Sequence, residues 1–260
     1  MADPLAIFYC FPRSGGTLLS QCLLCAPRNV VLSEINPAGS MVEPEKQAAE
    51  WFDLAGKGEV RSLGRRRYIE KIALFARRCQ ASKKHLCIRD WPAINFVPDV
   101  SSMSPRPSGL LEQQLYLRRA GYPLREAALV RRSQAMYDSL RRHIPSLRNL
   151  SPTRFASAYK AYLQALGGMP RFQLEQLQAC PEPVLREICT VLGLDFAPDF
   201  ASRFHLETRV TGNNTLPEPS PSAGWKTIQR QPACAPDPAP APTIQQRFAE
   251  LDLLAGYKGE

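Results

Sequence analysis

The residues of this chain best suited to chemistry lie in Phe11-Pro12-Arg13-Ser14-Gly15-Gly16-Thr17, between the apolar run Leu5-Ala-Ile-Phe-Tyr-Cys10 and the apolar stretch that opens at Leu18. A tight turn between a buried strand and a helix points several backbone N–H groups at one spot, where the helix dipole adds partial positive charge. Gly15 and Gly16 permit close backbone approach, Arg13 brings a fixed cation, and Ser14 and Thr17 bring hydroxyl donors. Such a loop suits a ligand carrying phosphate or sulfate. It is not a Walker A loop, because the G-x-x-x-x-G-K-[ST] spacing and its lysine are absent.

Other chemically able residues stand at the ends of apolar runs. Leu129-Val130-Arg131-Arg132 closes one such run, and Ser139 follows eight residues after Arg131. Glu34 ends Val30-Val31-Leu32-Ser33, and Asp90 ends His85-Leu86-Cys87-Ile88-Arg89. Either carboxylate could take a proton from an attacking hydroxyl or amine. A carboxyl of ordinary pKa near 4 needs desolvation or a negative neighbour to serve well. Asp90 is favoured slightly, since the Trp91-Pro92 turn after it suggests a pocket wall. The plainer alternatives are an Arg89–Asp90 pair and a Glu34 salt bridge to a ligand-binding arginine. Only three histidines exist, and His85 precedes its strand instead of following it. The eight cysteines include a single C-x-x-C, Cys22 and Cys25, within an apolar helix. With no second pair, buried thiols fit better than a metal site, and no metal is expected.

These groups need a scaffold. Strands are expected at 5–11, 30–34, 85–90, 126–131 and 169–174, each a short apolar run. Helical periodicity runs over 16–26, 44–54, 64–81, 109–121, 133–143, 151–166, 183–193 and 243–255. Ser151-Pro152 is a good helix start, and Gly193 a good stop. Strands alternating with helices predict an α/β fold with a mainly parallel sheet covered on both faces. Ligands in such folds sit beyond the C-terminal strand ends, where the loop, Glu34, Asp90 and Arg131 all fall.

One α/β domain over 1–215 is the simplest partition. Residues 216–242 hold eight prolines in 27 positions and predict an extended loop or tail. Residues 243–260 then carry a helix that docks back on the domain. No run of 18 or more apolar residues predicts a membrane span. The absence of a basic region with an apolar stretch and cleavage site predicts a cytoplasmic location. The net charge of +9 comes from scattered basic clusters, not one tract. No nucleic-acid signature accompanies it, so nucleic acid is not the expected partner, and an anionic cofactor, an acidic acceptor or a membrane surface stay open.

Taken together, the loop resembles the 5′-phosphosulfate-binding loop of sulfotransferases that use 3′-phosphoadenosine 5′-phosphosulfate (PAPS). That family usually shows Pro-Lys/Arg-Ser-Gly-Thr-Thr after its first strand; here Gly16 replaces the first threonine. The resemblance implies a P-loop-like sulfotransferase architecture of bacterial type, PAPS as sulfuryl donor, and a hydroxyl or amine acceptor on a small molecule or conjugate. It implies that Arg13, Ser14, Gly15, Gly16 and Thr17 hold the phosphosulfate, with Arg13 also offsetting charge in the reaction. It implies that Arg131 and Ser139 hold the 3′-phosphate, although the family's Asn/Asp-Pro after the arginine is here Arg132-Ser133. Val210-Thr211-Gly212-Asn213-Asn214 is similar to a late loop over the adenosine end, assigning Gly212 and Asn213 to donor binding. Lys226 and Arg230 are candidates to replace a missing Arg-Lys-Gly signature. Arg171 to Leu177 and Val184 to Leu194 resemble the family's Tyr-Glu-Asp-Leu strand and Leu-Gly-Leu helix. Two other readings stay open: a small-molecule kinase, which would want a loop lysine and a magnesium ligand, and a non-catalytic relative that binds an anion or a partner.

Overall fold

The computed structural model describes residues 3–98, 107–212, 228 and 241–258. Its centre is a six-stranded sheet in the order β3-β2-β4-β1-β5-β6. The strands are β1 (Leu5–Cys10), β2 (Asn29–Asn36), β3 (Gly39–Ser40), β4 (His85–Asp90), β5 (Leu124–Val130) and β6 (Arg171–Gln173). All neighbours pair in parallel except β2 with β3, a small antiparallel hairpin that the hydropathy pattern did not reveal. Every residue of β1 is buried, as expected for a central strand covered on both faces.

The helices are α1 (Gly16–Leu24), α2 (Pro44–Glu50), α3 (Val60–Gly64), α4 (Tyr68–Ala81), α5 (Ala93–Phe96) and α6 (Glu112–Arg119), then α7 (Ser133–His143), α8 (Pro152–Ala165), α9 (Leu174–Ala179), α10 (Pro181–Leu192), α11 (Phe200–Arg203) and α12 (Pro242–Leu254). The sheet therefore carries the α/β architecture expected from the alternation of runs. Connections from β1 lead across β4 to β2, while β5 and β6 lie on the other side, so the tip of β1 is a point where the winding reverses. Ligand crevices form at such points.

Several boundaries differ from those read in the sequence. The periodicity over 64–81 belongs to two helices, because Arg67 is extended and the chain restarts there with Glu70 accepting from the Arg67 N–H at 3.2 Å. The predicted strand 169–174 shortens to β6, and its apolar end Leu174 opens α9 instead. Pro181 rather than Pro183 stands at the start of α10. The helix expected over 109–121 is confined to α6, with Leu111 at its cap. Most of the proline-rich segment lies outside the described residues.

One aromatic cluster ties the last helix to the domain. Phe155 on α8 is fully buried and stacks at 5.7 Å on Tyr159, with Tyr137 of α7 at 5.3 Å and Phe248 of α12 at 5.6 Å. Phe11, the residue that leads into the loop, packs on the same group from the end of β1. The loop thus rests on an aromatic floor shared by three helices. Phe155→Ala is expected to lower unfolding free energy in urea by about 3–5 kcal/mol; a loss under about 1 kcal/mol would show that α12 and α8 do not share one core.

Candidate functional site

The turn after β1 is shaped by two left-handed residues, Arg13 at φ 69 and Gly15 at φ 90. For a non-glycine residue that conformation costs about 1–2 kcal/mol. It lets the Ser14 N–H close on Phe11 O at 3.1 Å and start α1 at Gly16. Gly15 has no room for a side chain, since a Cβ there would sit 2.4 Å from Leu174 Cδ1. Ser14 is buried and donates to Met136 Sδ on α7 at 3.2 Å.

Arginines converge on this turn. The Arg13 Nε donates to Ser139 Oγ at 3.0 Å, and Arg131 Nη1 donates to Arg13 O at 2.9 Å. Arg131 follows directly on β5, the strand paired with β1 from Leu5 to Cys10, which is why the two arginines meet although 118 residues separate them. Burial, and next the charge of Arg131, push the Arg13 pKa down to about 10, with Glu34 opposing and Arg89 adding to the fall. Arg13 stays charged at neutral pH, in surroundings that favour an anion beside it.

A third arginine lies beneath the loop. Arg89, on β4, is 5% exposed, and its Nη2 donates to Glu34 Oε1 at 2.8 Å. Its Nη1 lies 3.3 Å from Ser33 Oγ and 3.4 Å from both Thr17 Oγ1 and Thr211 O. A Cβ at Gly16 would stand 2.4 Å from Cys10 Sγ and 2.6 Å from Arg89 Nε. The absence of a side chain at Gly16 therefore makes room for this guanidinium. Sequence reading missed Arg89 as part of the site; strand alternation, which sets it on the face opposite Asp90, was the available signal.

Glu34 does not end its strand. It sits in a bulge of β2 at φ 52, where the register with β4 shifts between Ser33 and Ile35, and the strand continues to Asn36. The bulge turns its carboxylate toward the loop: Oε1 takes the Arg89 bond and Oε2 accepts from Thr211 Oγ1 at 2.5 Å. Thr211 and Gly212 come from the late segment, and Thr17 Oγ1 donates to Thr211 O at 3.1 Å. Gly212, at φ 110, leaves only 2.3 Å between a notional Cβ and Thr17 Oγ1. Asn213, Asn214, Lys226 and Arg230 lie outside the described residues.

Asp90 points the other way. It neighbours Arg89 in sequence but makes no pair with it, since alternate strand residues face opposite sides. Its Oδ1 accepts from Asn36 Nδ2 at 2.8 Å, and Oδ2 has no hydrogen-bond partner among the described residues. Burial raises its pKa from 3.8 to about 7, against smaller opposing contributions from Asn36 and the Trp91 N–H. The structure thus gathers Arg13, Ser14, Gly15, Gly16, Thr17, Glu34, Arg131, Ser139 and Gly212 at one place. It leaves Asp90 on the opposite face, fully enclosed.

Among solved structures, the chain is similar to the sulfotransferase domain of the Synechococcus PCC 7002 olefin synthase, at 18% identity and a TM-score of 0.64, over 99% of this chain and 97% of that one. It is also similar to the sulfotransferase domain of the curacin biosynthetic pathway, at 18% identity and a TM-score of 0.53, over 95% of this chain and 96% of the other. No family model and no curated protein matches it. The fold is that of sulfotransferase domains, a P-loop-like α/β architecture. Among the described residues no helix is long and apolar enough to cross a membrane.

Two measurements follow from this geometry. Gly16→Ala should lower stability by about 1–3 kcal/mol, the scale of overpacking, because both atoms it meets are themselves buried; a neutral result would mean that Arg89 is not held under the loop. Asp90, whose folded pKa lies above its unfolded one, binds its proton more tightly in the native state, so its contribution to stability falls as pH rises from about 4 to about 7. Asp90→Asn should therefore gain stability relative to the parent across that window, by a few kcal/mol at most. Parallel melting profiles of the two proteins at pH 4 and 7.5 would refute this.

Proposed function

We propose that the chain is a PAPS-dependent sulfotransferase that moves a sulfuryl group to a hydroxyl or amine acceptor. The observation that carries this reading is the meeting of the Arg13 loop with Arg131 and Ser139, Arg13 Nε donating to Ser139 Oγ at 3.0 Å and Arg131 Nη1 to Arg13 O at 2.9 Å, which gathers two cations and a hydroxyl beside a glycine turn. The buried, like-charged surroundings of Arg13 fit such a ligand, because an anion would offset both the burial that chiefly lowers its pKa and the repulsion from Arg131 that adds to it.

In this reading the loop N–H groups and the Arg13 guanidinium hold the phosphosulfate, while Arg131 and Ser139 hold the 3′-phosphate. When bound, the donor supplies an activated sulfur–oxygen bond for in-line displacement, with the 3′,5′-bisphosphate as leaving group. Arg13 offsets the charge that grows on the leaving phosphate, and its planar fork can engage two oxygens at once. Glu34 takes the proton of the acceptor at a carboxylate oxygen. What supports Glu34 over Asp90 is access: its side chain is 13% exposed beside the loop, whereas Asp90 is closed off. Arg89 and Thr211 hold the Glu34 carboxylate in its direction. Thr211 and Gly212 stand beside Thr17 as part of the donor's enclosure.

Calorimetric titration with 3′,5′-adenosine bisphosphate tests the proposal. The protein is expected to bind it, and Arg13→Ala and Arg131→Ala are each expected to weaken binding by about 10- to 100-fold, the scale of a lost charge-assisted pair. No binding by the parent protein, or unchanged binding by both variants, would overturn it.

A further inference from the structure

The segment that carries Arg131 begins a helix without a cap of its own. Arg132 occupies the cap position of α7 and makes no side-chain capping bond, and Ser133 is already helical. The cap comes from elsewhere in the chain. Asp252 of α12, 119 residues away, accepts from both the N–H and the Oγ of Ser133 at 2.7 and 2.6 Å. A carboxylate at a helix N-terminus also meets the positive end of the dipole.

Asp252 does not act alone. The Arg132 N–H donates to Glu175 Oε1 at 3.2 Å, and Tyr257, just after α12, donates to the other oxygen of Glu175 at 2.5 Å. The Arg132 guanidinium lies 3.7 Å from Asp252 Oδ2 and 4.9 Å from the centre of the Tyr257 ring. Arg171 donates to Leu254 O, and Gln173 Nε2 to Gly256 O at 3.0 Å, fastening the end of α12 to β6. Tyr159 holds the remaining backbone group, donating to Arg131 O at 3.3 Å. The backbone of Arg132 and Ser133 is therefore set, directly or through Glu175, by the C-terminal segment.

We propose that Pro242–Tyr257 is a positioning element of the nucleotide site: Asp252 supplies the missing cap of α7, and with Tyr257 and Glu175 it fixes the backbone from which Arg131 and Ser139 reach the ligand. This rests on the reading of Arg131 and Ser139 as the 3′-phosphate anchor. Asp252 and Tyr257 touch no ligand in this account. They act through the start of α7, and coupling of that kind is reciprocal: whatever the C-terminal segment adds to ligand affinity, the ligand adds to the docking of that segment.

The full chain serves for the test, with 3′,5′-adenosine bisphosphate as probe. Asp252→Ala is expected to weaken its binding about tenfold, the scale of a lost helix cap. Asp252→Asn, which still offers a side-chain oxygen, is expected to stay within about threefold of the parent. Hydrogen exchange at residues 245–255 is expected to slow when the bisphosphate binds the parent protein. A purely structural α12 would show no such slowing. A folded Asp252→Ala protein with parental affinity, or exchange in α12 indifferent to the bisphosphate, would overturn the proposal. Should Asp252→Ala not fold, the exchange measurement on the parent protein decides by itself. If Arg131→Ala abolishes binding while α12 stays indifferent, this inference falls and the functional reading stands; if the parent does not bind the bisphosphate, both fall.

Discussion

A buried ion pair, Arg89 with Glu34, is the interaction on which the arrangement at the strand tips depends. A guanidinium enclosed under a glycine loop costs several kcal/mol unless an opposite charge and further hydrogen-bond acceptors meet it. Glu34 can meet it only because the bulge in β2 turns that residue out of the regular strand alternation. Gly16 can pass over it only because it has no side chain. Ser33, Thr17 and Thr211 complete the surround, so the first loop, the second strand and the late segment are held by one network. Removing either side chain would leave the other without its partner, which makes this pair a condition for the loop's shape as much as a contact within it.

The two positions at which the sequence departs from the sulfotransferase motifs it resembles each have a local partner. Gly16 stands where a threonine is usual, and Arg89 fills the space that this leaves. Arg132-Ser133 stands where Asn/Asp-Pro is usual, and Asp252 caps the helix that the pair leaves uncapped. Both compensations come from residues far away in sequence. The loop and the start of α7 meet beside the tip of β1.

The sheet and the loop were legible because they are written locally. An uninterrupted apolar run followed by Pro-Arg-Ser-Gly-Gly-Thr can hardly be other than a buried strand, a turn and a helix start. Arg131 and Ser139 were singled out through the resemblance, by their spacing after an apolar run, and the structure sets both beside Arg13. What escaped reading depends on three-dimensional pairing: the direction of Glu34 follows from a bulge, and a bulge leaves no mark in hydropathy. Arg89 looked like a neighbour for Asp90 because adjacency in sequence is visible and strand alternation separates the two. The part played by Asp252 could not be read at all, since nothing in Leu251-Asp252-Leu253 points to a helix 119 residues earlier. Helix ends at 64–68 and 174–181 were missed where an extended residue or a proline divides a continuous apolar periodicity.

The proposed function requires one grip on the two ends of a nucleotide. A crystal structure of the chain soaked with 3′,5′-adenosine bisphosphate tests it most directly. The expected result has the 5′-phosphate against the backbone N–H groups of Ser14 to Thr17 and the 3′-phosphate on Arg131 and Ser139, with Glu34 facing the open side of the 5′ end. A nucleotide bound away from the tip of β1, or bound there with its 3′-phosphate out of reach of Arg131, would contradict it.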